Sequence, residues 1–315
     1  MAVDFSESHS VLAFDVGGSH VSAARCNLKD FRILLTARAP LPADLTCDEF
    51  LDLIEKLGQE MSPYPPDPVG AVLAVPGPFD LVSGISRMQH KLKSLYGVDL
   101  RSALAERFGW GPARFFFLND AAAFLLGEVQ CGAARGSEKA IGIVLGTGIG
   151  SAFALNGHWI TTGKGVPPGG EIWNLPYIQG TVEDLLSTRA IRQDYFARTG
   201  RDEEVITIAK RATADTEARR VFEAFGIHLG NVFRDVLAPF EPDTIVLGGG
   251  ISRAAALFLP SAQNQLHGYG FRLVTSTLFE KAPLVGAAAS WRNGSDTGPN
   301  ARLHQRKIDS PANAT

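Results

Sequence analysis

The chain has 315 residues, 45% of them hydrophobic, enough for about two ordinary globular domains. A net charge of −3 excludes the electrostatic footprint of a protein built to bind nucleic acid or an anionic membrane. Cys26, Cys47 and Cys131 are widely spaced and form no CxxC pair, which excludes a disulfide framework. The polar start and the lack of any apolar run of about 18 residues predict a cytoplasmic protein with no membrane span.

Residues 11–15 (VLAFD) read as a short apolar strand ending in an acid. Val16-Gly17-Gly18-Ser19-His20 then forms a hairpin tip, and a second strand follows. Glycines at such a tip let backbone N–H groups approach an anion, so Gly17, Gly18 and Ser19 are candidate phosphate contacts. Asp15 has the chemistry to hold a hydrated Mg²⁺, which prefers carboxylate and water oxygens. The tip matches neither a Walker loop nor GxGxxG. Residues 50–61 have helical apolar spacing. Residues 62–68 are a proline-rich connector, and residues 69–75 a buried strand closed by Pro76-Gly77-Pro78. That rigid turn, with Gly77 at its centre, can line a cleft, although such a turn more often only ends a strand. A helix is expected over residues 100–108.

Residues 115–118 (FFFL) read as a buried strand and 121–127 as an alanine-rich helix, with Asn119-Asp120 at the junction. Open α/β sheets bind ligands at such carboxyl ends of strands. On this run alone Asp120 is equally well a helix N-cap or a carboxylate that takes a proton from a hydroxyl. Residues 140–145 repeat the first pattern, an apolar strand running into Gly146-Thr147-Gly148-Ile149-Gly150. Two such strand-plus-tip units suggest a duplication that holds a phosphate between its halves. The loop over residues 163–171 ends at Glu171. Glu183 reads either as a first-turn helix acid or as a ligand. Helices are expected over 202–210 and 213–237, and a strand over 244–247. Gly248-Gly249-Gly250 follows, either a turn against which a flat base or ribose could lie or a common strand-to-helix turn. A last helix is expected over 282–291. The tail, 292–315, is polar and expected to be disordered.

In order and spacing these pieces resemble the ROK family of sugar kinases and repressors, within the actin-like ATPase superfamily, over about residues 10–291. The carriers are DVGGS from Asp15, the Pro76–Pro78 turn, LNDAAAFLLGE from Leu118, GTGIG from Gly146, GGE ending at Glu171, TVE ending at Glu183, and PDTIVLGGGIS from Pro242. The closing APLVGAAA from Ala282 also fits. The resemblance implies two α/β domains with mixed sheets, actin-like and ribonuclease H-like, flanking a central cleft. Their expected bounds are 10–118 and 119–291. It implies that the tips at Gly17 and Gly146 clamp the tail of ATP, with Asp15 near Mg²⁺, and that Gly248-Gly249-Gly250 receives the adenosine. By the same resemblance Asp120 is the catalytic base, while Asn119, Glu171 and Glu183 bind the sugar. This raises the catalytic reading of Asp120 above capping.

Two departures accompany the resemblance. The family's GExGH stands here as Gly170-Glu171-Ile172-Trp173-Asn174, with Asn174 in the histidine's place. The cysteines of the family's zinc site are also missing, so no structural zinc is expected. Asn174 retains hydrogen-bonding capacity without charge. The expected activity is ATP-dependent phosphorylation of a hexose or amino-sugar hydroxyl. The alternative is a sugar-binding regulatory protein without kinase activity, and a donor such as polyphosphate stays open. With only a short segment before Val11, no DNA-reading domain is expected, and the kinase branch of the family is expected over the repressor branch. A homodimer is expected from the family.

Overall fold

The computed structural model describes residues 9–63, 65–89 and 91–293. In chain order the elements are β1 (Ser10–Val16), β2 (His20–Asn27), β3 (Ile33–Pro40), α1 (Cys47–Glu60), β4 (Ala71–Val75), β5 (Phe79–Asp80), β6 (Ile85–Ser86), α2 (Leu100–Phe108), β7 (Phe115–Asn119) and α3 (Asp120–Cys131). There follow β8 (Lys139–Leu145), β9 (Ile149–Leu155), β10 (His158–Ile160), β11 (Pro176–Tyr177), β12 (Gly180–Thr181), α4 (Val182–Leu185), α5 (Thr188–Thr199), α6 (Val205–Arg211), α7 (Thr216–Val232), β13 (Thr244–Gly248), α8 (Ala255–Gln265), β14 (Arg272–Thr275) and α9 (Ala282–Asn293).

Two compact units result. Among the described residues, the first comprises those up to Cys131 and from Glu280 onward, the second residues 132–279. The first carries a sheet in the order β3-β2-β1-β4-β7, the second a sheet in the order β10-β9-β8-β13-β14. In each, the first three strands in sequence are antiparallel neighbours. Two further strands are added parallel to the leading one. The same order occurs twice, with a glycine tip after each leading strand, as expected of a duplication.

The central strands β1, β4 and β13 are almost wholly buried. They read as continuous apolar runs because both faces of a mixed sheet are covered. One face of the first sheet packs Phe14, Val16, Leu73, Phe115 and Phe117 against apolar residues of α1 and α2. In the second unit Phe153, Ile245 and Leu247 share a core with Phe222, Phe225 and Phe258 of α7 and α8.

The expected boundary after Leu118 does not coincide with the compact units, which divide after Cys131 and return α9 to the first unit. The cause is the contact between α3 and α9. A Cβ on Gly127 would lie 2.0 Å from the Ala282 carbonyl oxygen, and one on Gly286 would lie 1.8 Å from that of Ala123. The alanine- and glycine-rich sequences of both helices permit backbone-to-backbone packing that no bulkier pair could reach.

Element ends were less legible. Helix α1 starts at Cys47 because Thr46 and Glu49 form a reciprocal capping box. Helix α7 begins after Asp215, whose carboxylate accepts from the N–H groups of Glu217 and Ala218, and its expected last turn is a wider helical turn over Phe233–Leu237. Helix α9 continues through Asn293, beyond the expected end, and the rest of the expected tail lies outside the described residues. No helix among the described residues is long and apolar enough to cross a membrane.

Candidate active site

In the first unit the candidate residues gather at the carboxyl edge of three parallel strands. Asp15 of β1 pairs with Ala74 of β4, and Val75 pairs with Asn119 of β7. Asp15, the Pro76-Gly77-Pro78 turn and Asn119-Asp120 therefore share one end of one sheet, where ligands meet open α/β sheets. Gly77 is exposed and Asn119 and Asp120 are half-buried. The tip after β1 is closed by a hydrogen bond from Gly17 N–H to the His20 carbonyl at 2.9 Å, with Gly18 and Ser19 exposed at its end.

The Asn119 and Asp120 roles separate cleanly. Asn119 Oδ1 accepts from Ala122 N–H at 3.1 Å, so Asn119 caps α3. Asp120 is the first helical residue, and its carboxylate accepts from Ala121 N–H at 2.8 Å. Asn119 thus supplies the N-cap, and Asp120 accepts from the N–H of the next residue in the first turn.

Asp15 sits between the buried Phe14 and Val16 and faces the other side of the sheet. Burial, and then the neighbouring Asp120 carboxylate, push its carboxyl up to about 7, against an opposing pull from Arg38. Sequence reading missed Arg38. The strand register explains its place: Asp15 pairs with Ser22 and Ser22 with Arg38, so all three stand in one row on one face. A single arginine on an alternating strand carries no local signal of this. His20 is held below its usual range by burial and by Arg38, with Glu280 acting in the opposite sense.

In the second unit the tip Gly146-Thr147-Gly148 joins β8 to β9 and is closed by Gly146 N–H donating to the Gly148 carbonyl at 2.9 Å. Thr147 is exposed at its apex. Gly248-Gly249-Gly250 lies at the carboxyl end of β13, adjacent to β8 through the Gly248–Val144 pair. A Cβ on Gly249, whose φ is +80°, would lie 2.2 Å from the Leu145 carbonyl oxygen, so this turn rests on the root of the tip.

Thr188, another residue without a sequence signal, donates both its N–H (2.8 Å) and its hydroxyl (2.9 Å) to the Gly146 carbonyl. Glu183 is half-buried, and its Oε2 accepts from Ile149 N–H at 3.1 Å. The capping box of α4 is formed instead by Thr181 and Asp184. Glu183 is therefore neither an idle first-turn acid nor wholly available to a sugar: one oxygen holds the tip. Glu171 and Asn174 are exposed in the loop before β11. Among the described residues no group of three or more His, Cys, Asp or Glu side chains is arranged to hold a metal ion. The Asp15 carboxylate suits Mg²⁺ that keeps most of its water, and a divalent cation would offset the burial and the Asp120 repulsion that raise its carboxyl.

The model of the ROK family matches residues 11–293.

The chain belongs to the ROK family.

Among its ROK relatives is a glucokinase of Thermotoga maritima, 29% identical over 270 residues, covering 75% of this chain and 81% of that protein. An N-acetyl-D-glucosamine kinase of Photobacterium profundum is 26% identical, covering 78% and 85%. A xylose repressor of Bacillus subtilis is 22% identical, covering 88% and 76%. A ROK hexokinase from Thermus thermophilus superposes with a TM-score of 0.76 at 24% identity, covering 89% of this chain and 97% of that one. A ROK family glucokinase from Streptomyces griseus, in complex with glucose and AMPPNP, gives 0.73 at 22% identity, covering 89% and 98%. These likenesses establish the actin-like fold for this ROK chain.

Proposed function

We propose that the chain is an ATP-dependent sugar kinase that transfers a phosphoryl group to a hydroxyl of a hexose or amino sugar, with Asp120 as general base. The observation that carries this reading is the division of labour at the end of β7: Asn119 caps the helix and Asp120 remains half-buried beside Asp15. The relatives named for glucose and N-acetylglucosamine phosphorylation support the same class.

In the proposed reaction Asn119, Glu171, Asn174 and Glu183 hydrogen-bond the sugar, beside the Gly77 turn. Asp120 accepts the proton of the acceptor hydroxyl. That oxygen attacks the γ-phosphorus of ATP, the bond from the γ-phosphorus to its bridging oxygen breaks, and ADP leaves. Gly18, Ser19, Thr147 and Gly148 donate hydrogen bonds to the phosphates at tips that the N–H groups of Gly17 and Gly146 close, and Gly248, Gly249 and Gly250 receive the adenosine. Asp15 would hold the Mg²⁺ of MgATP, which neutralises charge on the phosphates. Positioning and electrostatics supply most of the acceleration in such transfers.

The test is ADP release by the purified chain across hexoses and amino sugars, with ATP and with polyphosphate as donors. Sugar-stimulated ADP release, reduced by about a thousandfold in Asp120→Ala and Asp120→Asn with the fold intact, is expected. Wild-type rates in Asp120→Ala on the best sugar would remove Asp120 as base.

A second reading is a sugar-binding regulator without transfer. Trp173 and Asn174, and the similarity to a xylose repressor, favour it. It predicts sugar binding by calorimetry with no sugar-stimulated ADP release.

A further inference from the structure

The loop that carries Glu171 is built around a hydrogen bond that the roles above leave unused. Ser151 of β9 clamps the backbone on both sides of Glu171: its hydroxyl donates to the Gly170 carbonyl at 2.7 Å and accepts from Ile172 N–H at 3.1 Å. Ile172 is fully buried. Because Glu171 is extended (φ −104°, ψ 133°) and Ile172 points inward, Glu171 and Trp173 project together on the outer side. There the Trp173 indole Nε1–H donates to Glu171 Oε2 at 3.0 Å. The Trp173 carbonyl in turn accepts from Glu183 N–H at 3.1 Å, and Glu183 Oε2 holds Ile149 at the glycine tip.

The indole contributes little to the core. It is 44% exposed, and among the described residues it makes no ring-to-ring contact. A large side chain left in water, with its one polar atom spent on a neighbouring carboxylate, is costly unless the carboxylate has to be held. A glutamate has three side-chain torsions, and fixing them before substrate arrives lowers the entropy lost on binding. Of the four tryptophans in the chain, Trp173 is at one of the two positions where the loop departs from the family's pattern.

We propose that Trp173 is a positioning residue of the acceptor subsite: its indole N–H holds the Glu171 carboxylate in the orientation that receives a sugar hydroxyl. This rests on the sugar-kinase reading in assigning Glu171 to the acceptor. It goes beyond that reading in giving the loop's departing residue a role in recognition of the acceptor and none in binding ATP.

The test is a double-mutant cycle in the intact chain with Trp173→Phe, Glu171→Ala and the pair. ADP release is read against a panel of glucose, mannose, galactose, fructose, N-acetylglucosamine and N-acetylmannosamine. Trp173→Phe keeps an aromatic ring but has no N–H. It is expected to raise KM for the sugar about tenfold, the scale of one hydrogen bond to a charged group, with KM for ATP within about twofold of wild type. In the Glu171→Ala background the same change is expected to cost nothing further. Equal sugar KM values in wild type and Trp173→Phe overturn the proposal. So does an equal penalty in both backgrounds, which would mean that Trp173 acts independently of Glu171.

A second measurement needs no turnover. Sugar is expected to change the difference in tryptophan emission between wild type and Trp173→Phe, and this change is lost in Glu171→Ala. If no sugar supports ADP release yet one still changes that emission difference, the kinase reading fails and the role of Trp173 in sugar recognition stands. If the emission difference is unmoved by every sugar, the positioning role is overturned.

Discussion

Glu183 Oε2 accepts a hydrogen bond from Ile149 N–H at 3.1 Å and fills the space beside Gly148, where a Cβ would come within 2.2 Å of it. The glycine at the tip thus serves two ends. It leaves backbone open to an anion, and it makes room for the acid that holds the tip in shape.

Gly148→Ala follows from that contact. The atom it meets is the end of a flexible side chain, so Glu183 is expected to swing away and the fold to survive. Stability should change by about 1 kcal/mol or less. The tip loses its anchor, and KM for ATP is expected to rise by about tenfold, the loss of one charge-assisted hydrogen bond. Steady-state kinetics beside a thermal melt check both halves, and an unchanged KM for ATP would show that Glu183 does not shape the tip.

Gly286→Ala and Gly127→Ala meet backbone instead. The added methyl collides with the Ala123 or Ala282 carbonyl, neither of which moves without separating α3 from α9. Each is expected to cost about 3 kcal/mol or more, beyond ordinary overpacking. Urea unfolding of the two variants measures it, and a loss below 1 kcal/mol would contradict the close packing of these helices.

Asn119 and Asp120 are expected to fail differently. Asn119→Ala removes the cap of α3 and should lower stability by about 1 kcal/mol. Asp120→Asn keeps a side-chain oxygen for Ala121 N–H and should leave stability nearly unchanged while stopping turnover. Parallel denaturation and ADP-release measurements separate Asn119, which caps α3 and binds the sugar, from Asp120, which takes the proton.

Asp15 sets a pH dependence. Its carboxyl is raised from 3.8 to about 7 in the folded chain, so the folded state binds the proton more tightly than the unfolded state does. The resulting penalty on folding is absent below about pH 4, grows as pH rises through that window, and is complete above about 7. Asp15→Asn removes it, so the ligand-free variant is expected to be more stable than wild type at pH 8, by on the order of 1–3 kcal/mol, and equal near pH 4. The same variant is expected to lose turnover with MgATP. Chemical denaturation at the two pH values checks the sign.

Much of the fold is local in origin and legible without coordinates. Continuous apolar runs such as residues 71–75 become central strands because both faces of the sheet are covered. A glycine tip after each of two such runs reflects a duplicated unit, and the order of the motifs carries the family. The capping box at Thr46 and Glu49 is equally legible in the residues, and it starts α1 before the apolar spacing begins.

What tertiary structure decided is pairing between distant residues. Helix periodicity cannot tell which sheet a helix will cover, so the assignment of α3 and α9 to the first unit waited on the meeting of Gly127 with Ala282 and Gly286 with Ala123. Strand register, which no single strand encodes, put Arg38 in the row of Asp15. Residue type made Glu183, Thr188 and Trp173 capable of hydrogen bonding. Their partners were chosen by the folding of the loops around β9, because a hydrogen bond depends on distances of a few ångströms that spacing along a chain does not specify.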